Sequence, residues 1–124
     1  MSTNACPCGS ALSYHACCDR YHHQGMQAKT VEALMRSRYS AYVLCNADYL
    51  MKTWAPTNRP ALQQEDLSAT QWLKLEVIQA KQGLKQGTVE FKAFYLENGN
   101  ECVLHEHSLF KKIKNRWYYV SELS

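Results

Sequence analysis

The apolar positions change period once along the chain. Between residues 31 and 43 they recur at three and four, as Val31, Leu34, Met35, Tyr39, Tyr42 and Val43, which predicts an amphipathic helix with Thr30 as its N-cap. Arg38 stands on that apolar face, i+4 from Leu34 and i+3 from Met35, whereas Arg36 and Ser37 fall on the other side. A second, shorter helix is predicted over residues 47–54, stopped by Pro56. Residues 57–68 read as loop with one helical turn. From Trp72 onward the period is two. Residues 71–82 set Leu73, Leu75 and Val77 on one face against Lys74 and Glu76, and residues 88–96 alternate Val89, Phe91, Ala93 and Tyr95. Residues 83–87 turn the chain, and Asn98-Gly99-Asn100 signals a hairpin. Residues 101–113 and 116–122 make two further strands joined through Lys114-Asn115. Helices followed by four strands in hairpin order predict an α+β fold, an antiparallel sheet with helices on one face. Its core should run from Leu34 and Tyr39 through Phe91, Phe110 and Trp117.

The first twenty residues follow neither period. They hold little apolar area and, instead, four cysteines, Cys6, Cys8, Cys17 and Cys18, in the string CPCGSALSYHACC. Four thiolates close a tetrahedral Zn²⁺ site and leave no open position for water or substrate. Pro7 fixes φ between the first two ligands, and Gly9 allows the sharp return that turns backbone N–H groups toward sulfur. Ser10 is placed to cap a helical turn over residues 11–16. A disulfide is the weaker reading, because adjacent cysteines bridge poorly. A dithiol redox centre lacks its C-x-x-C spacing. His15, His22, His23 and Asp19 are close enough in sequence to replace one cysteine, so the fourth ligand is Cys18 or one of these. Residues 21–29 are polar and read as a linker.

The cysteine string resembles the SEC-C motif, the zinc knuckle at the tail of the preprotein translocase ATPase SecA, in which the last ligand is Cys or His and stands here at Cys18. The strings LMRSRYSAYV, ADYLMKTWAPT and HEHSLFKKIKNRWYYV follow in an order that resembles the YchJ-like family of small bacterial proteins over nearly the whole length. The resemblance implies a knuckle and linker over residues 1–25 and, over residues 26–124, a cone-shaped domain like nuclear transport factor two (NTF2-like, also SnoaL-like or cystatin-like). That fold curls its sheet around a helix and often leaves a pocket at the open end. The resemblance further implies partner binding through the knuckle, to a chaperone, a ribosome or another protein. Many members carry a second knuckle at the C-terminus, and here the sequence reaches Ser124 with no further cysteine cluster.

Length and charge narrow the functional classes. At 124 residues the chain suits one packed unit. MSTNACPCGS offers neither a basic start nor an apolar run, so a targeting segment is not expected, and nothing approaches a membrane span. A cytoplasmic address follows, where cysteines stay reduced and free for metal. The formal charge is +3. Binding Zn²⁺ through four thiolates changes it by −4 + 2, to about +1, so overall attraction to nucleic acid or a ribosome is weak.

Outside the knuckle, strand alternation sets His105 and His107 on one face and Glu106, Ser108 and Phe110 on the other. If the second face is inward, Glu106 needs a partner, and Arg38 is the obvious one. The two are then either the floor of a substrate or anion pocket walled by Tyr39, Tyr42 and Tyr95, or an ion pair locking helix to sheet. The ion pair is favoured, since catalysis requires a further acid, base or nucleophile. His105 and His107 read as a solvated face more readily than as a second metal site. Cys45 and Cys102 read as buried small hydrophobes, and Trp54, Trp72 and Trp117 as core or pocket-rim anchors. Lys111, Lys112, Lys114 and Arg116 form a basic hairpin. No phosphate loop, catalytic carboxylate pair or Ser-His-Asp order occurs. A zinc-stabilised protein-interaction module is therefore the leading expectation, ahead of a small-molecule-binding protein or enzyme using the pocket, and ahead of nucleic-acid binding through Arg20, Lys29, Arg36 and the basic hairpin. Neither an oligomeric state nor a named partner is legible.

Overall fold

The computed structural model describes residues 5–123. The first four residues of the expected knuckle segment and Ser124 lie outside the described residues. Among the described residues four α-helices, a 3₁₀ turn and four strands follow one another: α1 (Asp19–His22), α2 (Val31–Val43), α3 (Ala47–Lys52), the 3₁₀ turn (Pro56–Asn58), α4 (Gln64–Leu67), then β1 (Gln71–Gln82), β2 (Gln86–Glu97), β3 (Asn100–Ile113) and β4 (Arg116–Glu122). The strands form one antiparallel meander in the order β1-β2-β3-β4. This is the α+β architecture expected, a curved four-stranded sheet with α2 across its concave face.

Local signals placed most boundaries. Thr30 caps α2 by accepting from Ala33 N at 3.0 Å. Asn46 caps α3 through Tyr49 N at 3.1 Å. That helix stops at Lys52, two residues short of the sequence expectation, because the next segment pairs with the sheet. Ala55 N donates to Tyr119 O and Tyr119 N to Thr53 O, both at 2.8 Å. Asn98 and Gly99 turn β2 into β3 with φ of +52° and +79°, and Lys114 and Asn115 turn β3 into β4 at +51° and +66°. Paired positive φ values give the turn a twist that matches the flanking strands.

The sheet departs from strict alternation in β1. Register shifts fall between Trp72 and Lys74 and between Val77 and Ile78's successor Gln79. An extra residue in a strand reverses which face the next side chain takes. Leu73, expected inside with Leu75, is accordingly 42% exposed, and Trp72 packs against the core in its place. β2 keeps its period, burying Val89, Phe91 and Ala93. The main core joins these to Val31, Leu34, Met35 and Tyr39 of α2, and to Phe110 and Trp117.

Helix α2 is more deeply enclosed than its sequence suggests. Ser37 and Ser40, on the side facing away from the sheet, are fully buried. Ser37 Oγ donates to Leu34 O at 2.8 Å and lies 2.7 Å from Tyr49 Oη of α3, and Ser40 faces the cysteine knuckle. Short hydroxyl side chains can do this because they satisfy themselves along the helix or across to a neighbour. Among the described residues no helix is long and apolar enough to cross a membrane.

The tightest backbone approach lies at Gly87, where β2 passes the start of α2. A Cβ there would meet Lys81 O at 2.7 Å and Val31 Cγ1 at 2.8 Å. Gly87→Ala is expected to destabilise the domain by about 1–3 kcal/mol, the usual cost of overpacking. Urea denaturation followed by circular dichroism measures it, and an unchanged midpoint would contradict the packing described.

Candidate metal centre and cavity

The four cysteines converge. Cys6, Cys8, Cys17 and Cys18 are all buried, and their sulfurs lie within 4.8 Å of one another. Cys8 and Cys17 sulfurs are 3.6 Å apart, and those of Cys17 and Cys18 are 4.0 Å apart. A tetrahedron of sulfurs around Zn²⁺ at about 2.3 Å has edges of about 3.8 Å. The same separations are far too long for a disulfide bond, and all four thiols are unbridged.

The chain reaches this arrangement by a different local path from the one the sequence suggested. Residues 11–16 form no helix. Ala5 and Ser13 form an antiparallel bridge, and Cys6 N donates to Leu12 O at 2.8 Å. Gly9 at φ +83° and Ala11 at φ +72° make the return. Helical turns begin only at Ser13 and lead through the Cys17-Cys18 pair into α1, which extends to His22 inside the expected linker. Ser10 does not cap a helix. Its hydroxyl accepts from Leu12 N and donates to Cys17 Sγ at 3.1 Å.

Crowding four thiols moves their acidities in opposite directions. The Cys18 thiol beside Cys8 pulls Cys8 strongly down. Cys18 is pushed up by its contact with Cys8 and by burial, and Cys17 is raised chiefly by burial. Without a cation the cluster supports one thiolate at the expense of its neighbours, and a divalent ion removes that conflict.

None of the alternative ligands reaches the sulfurs as a partner. His15 and His23 lie on Asp19, at 3.1 Å and 2.6 Å, on the exposed side of the knuckle. His22 is clamped. Its Nε2 is 2.8 Å from Ser37 O, a group that only accepts, so that nitrogen carries the proton. Nδ1 then accepts from Tyr14 Oη at 2.6 Å, and the ring packs on Tyr49 at 4.6 Å. Arg36, bound to Glu32 at 3.0 Å, donates Nη1 to Cys8 O at 2.6 Å, while Ser40 donates to Cys18 Sγ at 3.3 Å. The knuckle is thus fixed to α2 by several polar contacts, a docking that sequence spacing alone did not reveal.

On the other side of α2 lies a cavity of ≈ 80 Å³. Arg38, Glu106, Tyr39 and Tyr42 line it, with apolar walls that include Trp72 and Phe91. Tyr95 does not line it. The Tyr95 ring packs against that of Trp72, its register partner on β1, at 5.5 Å.

The expected Arg38–Glu106 ion pair does not form. Arg38 is 3% exposed, and its Nη1 donates to Leu50 O at 2.9 Å and to Thr53 Oγ1 at 2.7 Å. The guanidinium sits in a corner made by Trp54 and Tyr119, 4.8 Å and 4.6 Å from the ring centres. Glu106 accepts from Ser108 Oγ and from Tyr119 Oη. Tyr119 therefore stands between the two charges, taking one on its ring and the other at its hydroxyl. Burial disfavours the Arg38 charge, and the surrounding tyrosines and Glu106 offset part of that penalty. Burial likewise raises the Tyr42 and Tyr119 hydroxyls, and Tyr39 to about 12.

The remaining candidates are dispersed. His105 Nε2 binds Glu90 at 2.7 Å on the outer sheet face. Among the described residues the four cysteines are the one group of three or more potential ligands close enough to share an ion. Cys45 and Cys102 are half-buried, contrary to expectation, Cys45 in a turn at φ +57° after α2 and Cys102 near the start of β3. Arg20 Nε is committed to Cys17 O at 3.0 Å.

A buried four-cysteine knuckle braced on the helix of a curved α+β domain defines a two-part class of small protein, and comparison identifies both parts. The family model described as the YchJ middle NTF2-like domain matches residues 30–122, and that described as the SEC-C motif matches residues 3–20. The chain belongs to this YchJ-like family, whose relatives carry the name UPF0225. A UPF0225 protein of Bordetella parapertussis is 43% identical over 122 residues, covering 96% of this chain and 92% of that protein. One from Haemophilus influenzae is 42% identical over 125 residues, covering 97% and 78%. The solution structure of a SEC-C motif containing protein from Rhodopseudomonas palustris superposes with a TM-score of 0.88 at 35% identity, over 98% of both chains. A crystal structure of a SEC-C motif containing protein from Psychrobacter arcticus gives 0.83 at 32% identity, over 98% of this chain and 81% of that one.

The His22 clamp generates a pH prediction. Burial holds His22 below its unfolded value of about 6.5, so the unfolded chain takes up the proton first as pH falls. The stability that neutral His22 contributes is present above about pH 6.5 and is lost below it. His22→Gln should cost about 1–2 kcal/mol near pH 7.5, and its gap from wild type should narrow toward about pH 5.5. Denaturation of both proteins across that range measures the gap, and a gap that widens on acidification would contradict the assigned tautomer.

Proposed function

We propose that the protein is a zinc-dependent binding module. One Zn²⁺ is held by Cys6, Cys8, Cys17 and Cys18, and the metal is structural. The observation that carries this reading is the enclosure of four mutually close sulfurs with no histidine or carboxylate among them. Four thiolates saturate the ion, so it offers no position at which water or substrate is activated. Its work is to hold the knuckle shape against α2. The outward rim, with Leu12 half exposed and the His15 and His23 side chains 85% and 65% exposed, is then a rigid surface for a protein partner. Nucleic-acid binding is less well supported, because Arg20 and Arg36 are spent on carbonyls within the fold. A cytoplasmic setting, which keeps thiols reduced, suits the same reading.

Elemental analysis of untagged protein purified under reducing conditions is expected to give one zinc per chain. Intact protein with a ratio near zero would end the proposal. Structural zinc contributes on the order of 10 kcal/mol of apparent binding free energy at neutral pH, so Cys8→Ser should lower affinity by several orders of magnitude. Chelation followed by hydrogen exchange should loosen residues 5–24 and, through the Arg36, Ser37 and Ser40 contacts, the α2 face beneath them. β2 and β3 should keep their protection, and loss of the whole sheet would show that the knuckle is part of the main core.

A further inference from the structure

We propose that the cavity between α2 and the sheet binds a small monocarboxylic acid with a short apolar body, its carboxylate held by Arg38. This goes beyond the zinc reading and does not depend on it.

The argument begins with donors. A guanidinium offers five N–H groups, and the Nη1 bonds to Leu50 O and Thr53 Oγ1 use one edge of it. Nε and Nη2 make no other close hydrogen bond among the described residues, the Tyr42 hydroxyl of the cavity wall being a polar group beside the guanidinium, although the side chain is almost entirely withdrawn from solvent. Neither atom is sealed. Among the described residues Trp117 Nε1 is the one unpartnered side-chain donor that is fully enclosed, so the free Arg38 edge faces open space, and the cavity is what Arg38 lines. The Nε–Nη2 edge is the fork that meets a carboxylate through two parallel hydrogen bonds. Arg38 is hydrogen-bonded to neutral groups, and Glu106, set behind Tyr119, offsets its charge only in part, so a further anion beside it is favoured.

The walls select the rest of the ligand. Met35, Trp72, Phe91, Ala93 and Leu104 are apolar, and the volume of ≈ 80 Å³ suits a short branched or aryl group. Glu106 stands across the cavity with its own hydrogen bonds to Ser108 and Tyr119. A second carboxylate, or a phosphate dianion, would face that charge with a single cation to balance it, so a monoanion is chosen over a dianion.

The test uses the full chain with its metal content measured separately, so that failure here and failure of the zinc reading are distinguishable. Isobutyrate and benzoate are titrated alongside isobutyramide, benzamide, succinate, phthalate and inorganic phosphate. Tryptophan fluorescence and the NMR signals of Arg38 Nε–H and the Trp72 indole are followed. The two monocarboxylates should shift these signals saturably below about 10 mM, a modest efficiency for so few atoms. The amides, diacids and phosphate should bind at least about tenfold more weakly. Arg38→Lys, which keeps the charge but loses the fork, should weaken binding by about tenfold or more. Should that variant fail to fold, Leu104→Trp at the 37% exposed rim narrows the cavity without touching the core, and should weaken benzoate more than isobutyrate. No response from wild type at about 10 mM, equal binding of amides and acids, or benzoate binding unchanged in Leu104→Trp would overturn the proposal.

Discussion

One helix carries the structure, and it is buried on both sides. The sheet covers the face of α2 that bears Leu34, Met35 and Tyr39, while the knuckle and α3 cover the face that bears Ser37 and Ser40. A helix in that position must match every polar group it takes out of water, because an unmet buried donor or acceptor costs about 1–3 kcal/mol. The matches are short-range and specific: Ser40 to Cys18 sulfur, Ser37 to Tyr49, and the Ser37 carbonyl to His22. The knuckle is therefore an integral wall of the domain rather than a tethered appendage. Residues that look polar in the sequence are the ones that join the two parts.

The same constraint explains Arg38. An arginine on the inner face of α2 is almost wholly withdrawn from solvent, and the carboxylate nearest in strand parity is screened from it by Tyr119. Its charge is instead held by a helix-end carbonyl, a hydroxyl and two aromatic faces. Cation–π contacts gain strength when water is excluded, so the corner between Trp54 and Tyr119 serves in place of an ion pair. Neutral partners satisfy hydrogen bonds without cancelling charge. That difference leaves a cavity with electrostatic character inside an otherwise apolar core.

The two sites share α2 but differ in kind. At the knuckle, four thiols press on one another's acidities, and a divalent ion is the simplest relief. At the cavity, a buried cation is hydrogen-bonded by neutral groups, with Glu106 on the same lining. Close agreement with two SEC-C motif containing structures, over 98% of this chain in each, shows that the backbone carrying the cysteine cluster and the cavity is shared with those proteins.

Local rules by themselves determined a good deal. The switch from a helical to a twofold period set the α+β class and the strand order. Thr30 set the start of α2, Asn98-Gly99 set the central hairpin, and the cysteine string marked the four-sulfur cluster that could hold a metal ion. Each depends on residues a few positions apart, where backbone sterics and capping decide the outcome. Tertiary structure decided the rest. The shift after Trp72 exposed Leu73, and Trp72 rather than Tyr95 lines the cavity. The sheet's claim on Thr53 and Ala55 shortened α3, and Tyr119 came between Arg38 and Glu106. Ser37 and Ser40 became interior only because a knuckle more than twenty residues upstream in part folds back on them. Periodicity reports which face of an element is apolar. It cannot report a second partner that covers the polar face, because that partner is chosen by long-range packing and by hydrogen bonds that exist only once the chain has closed on itself.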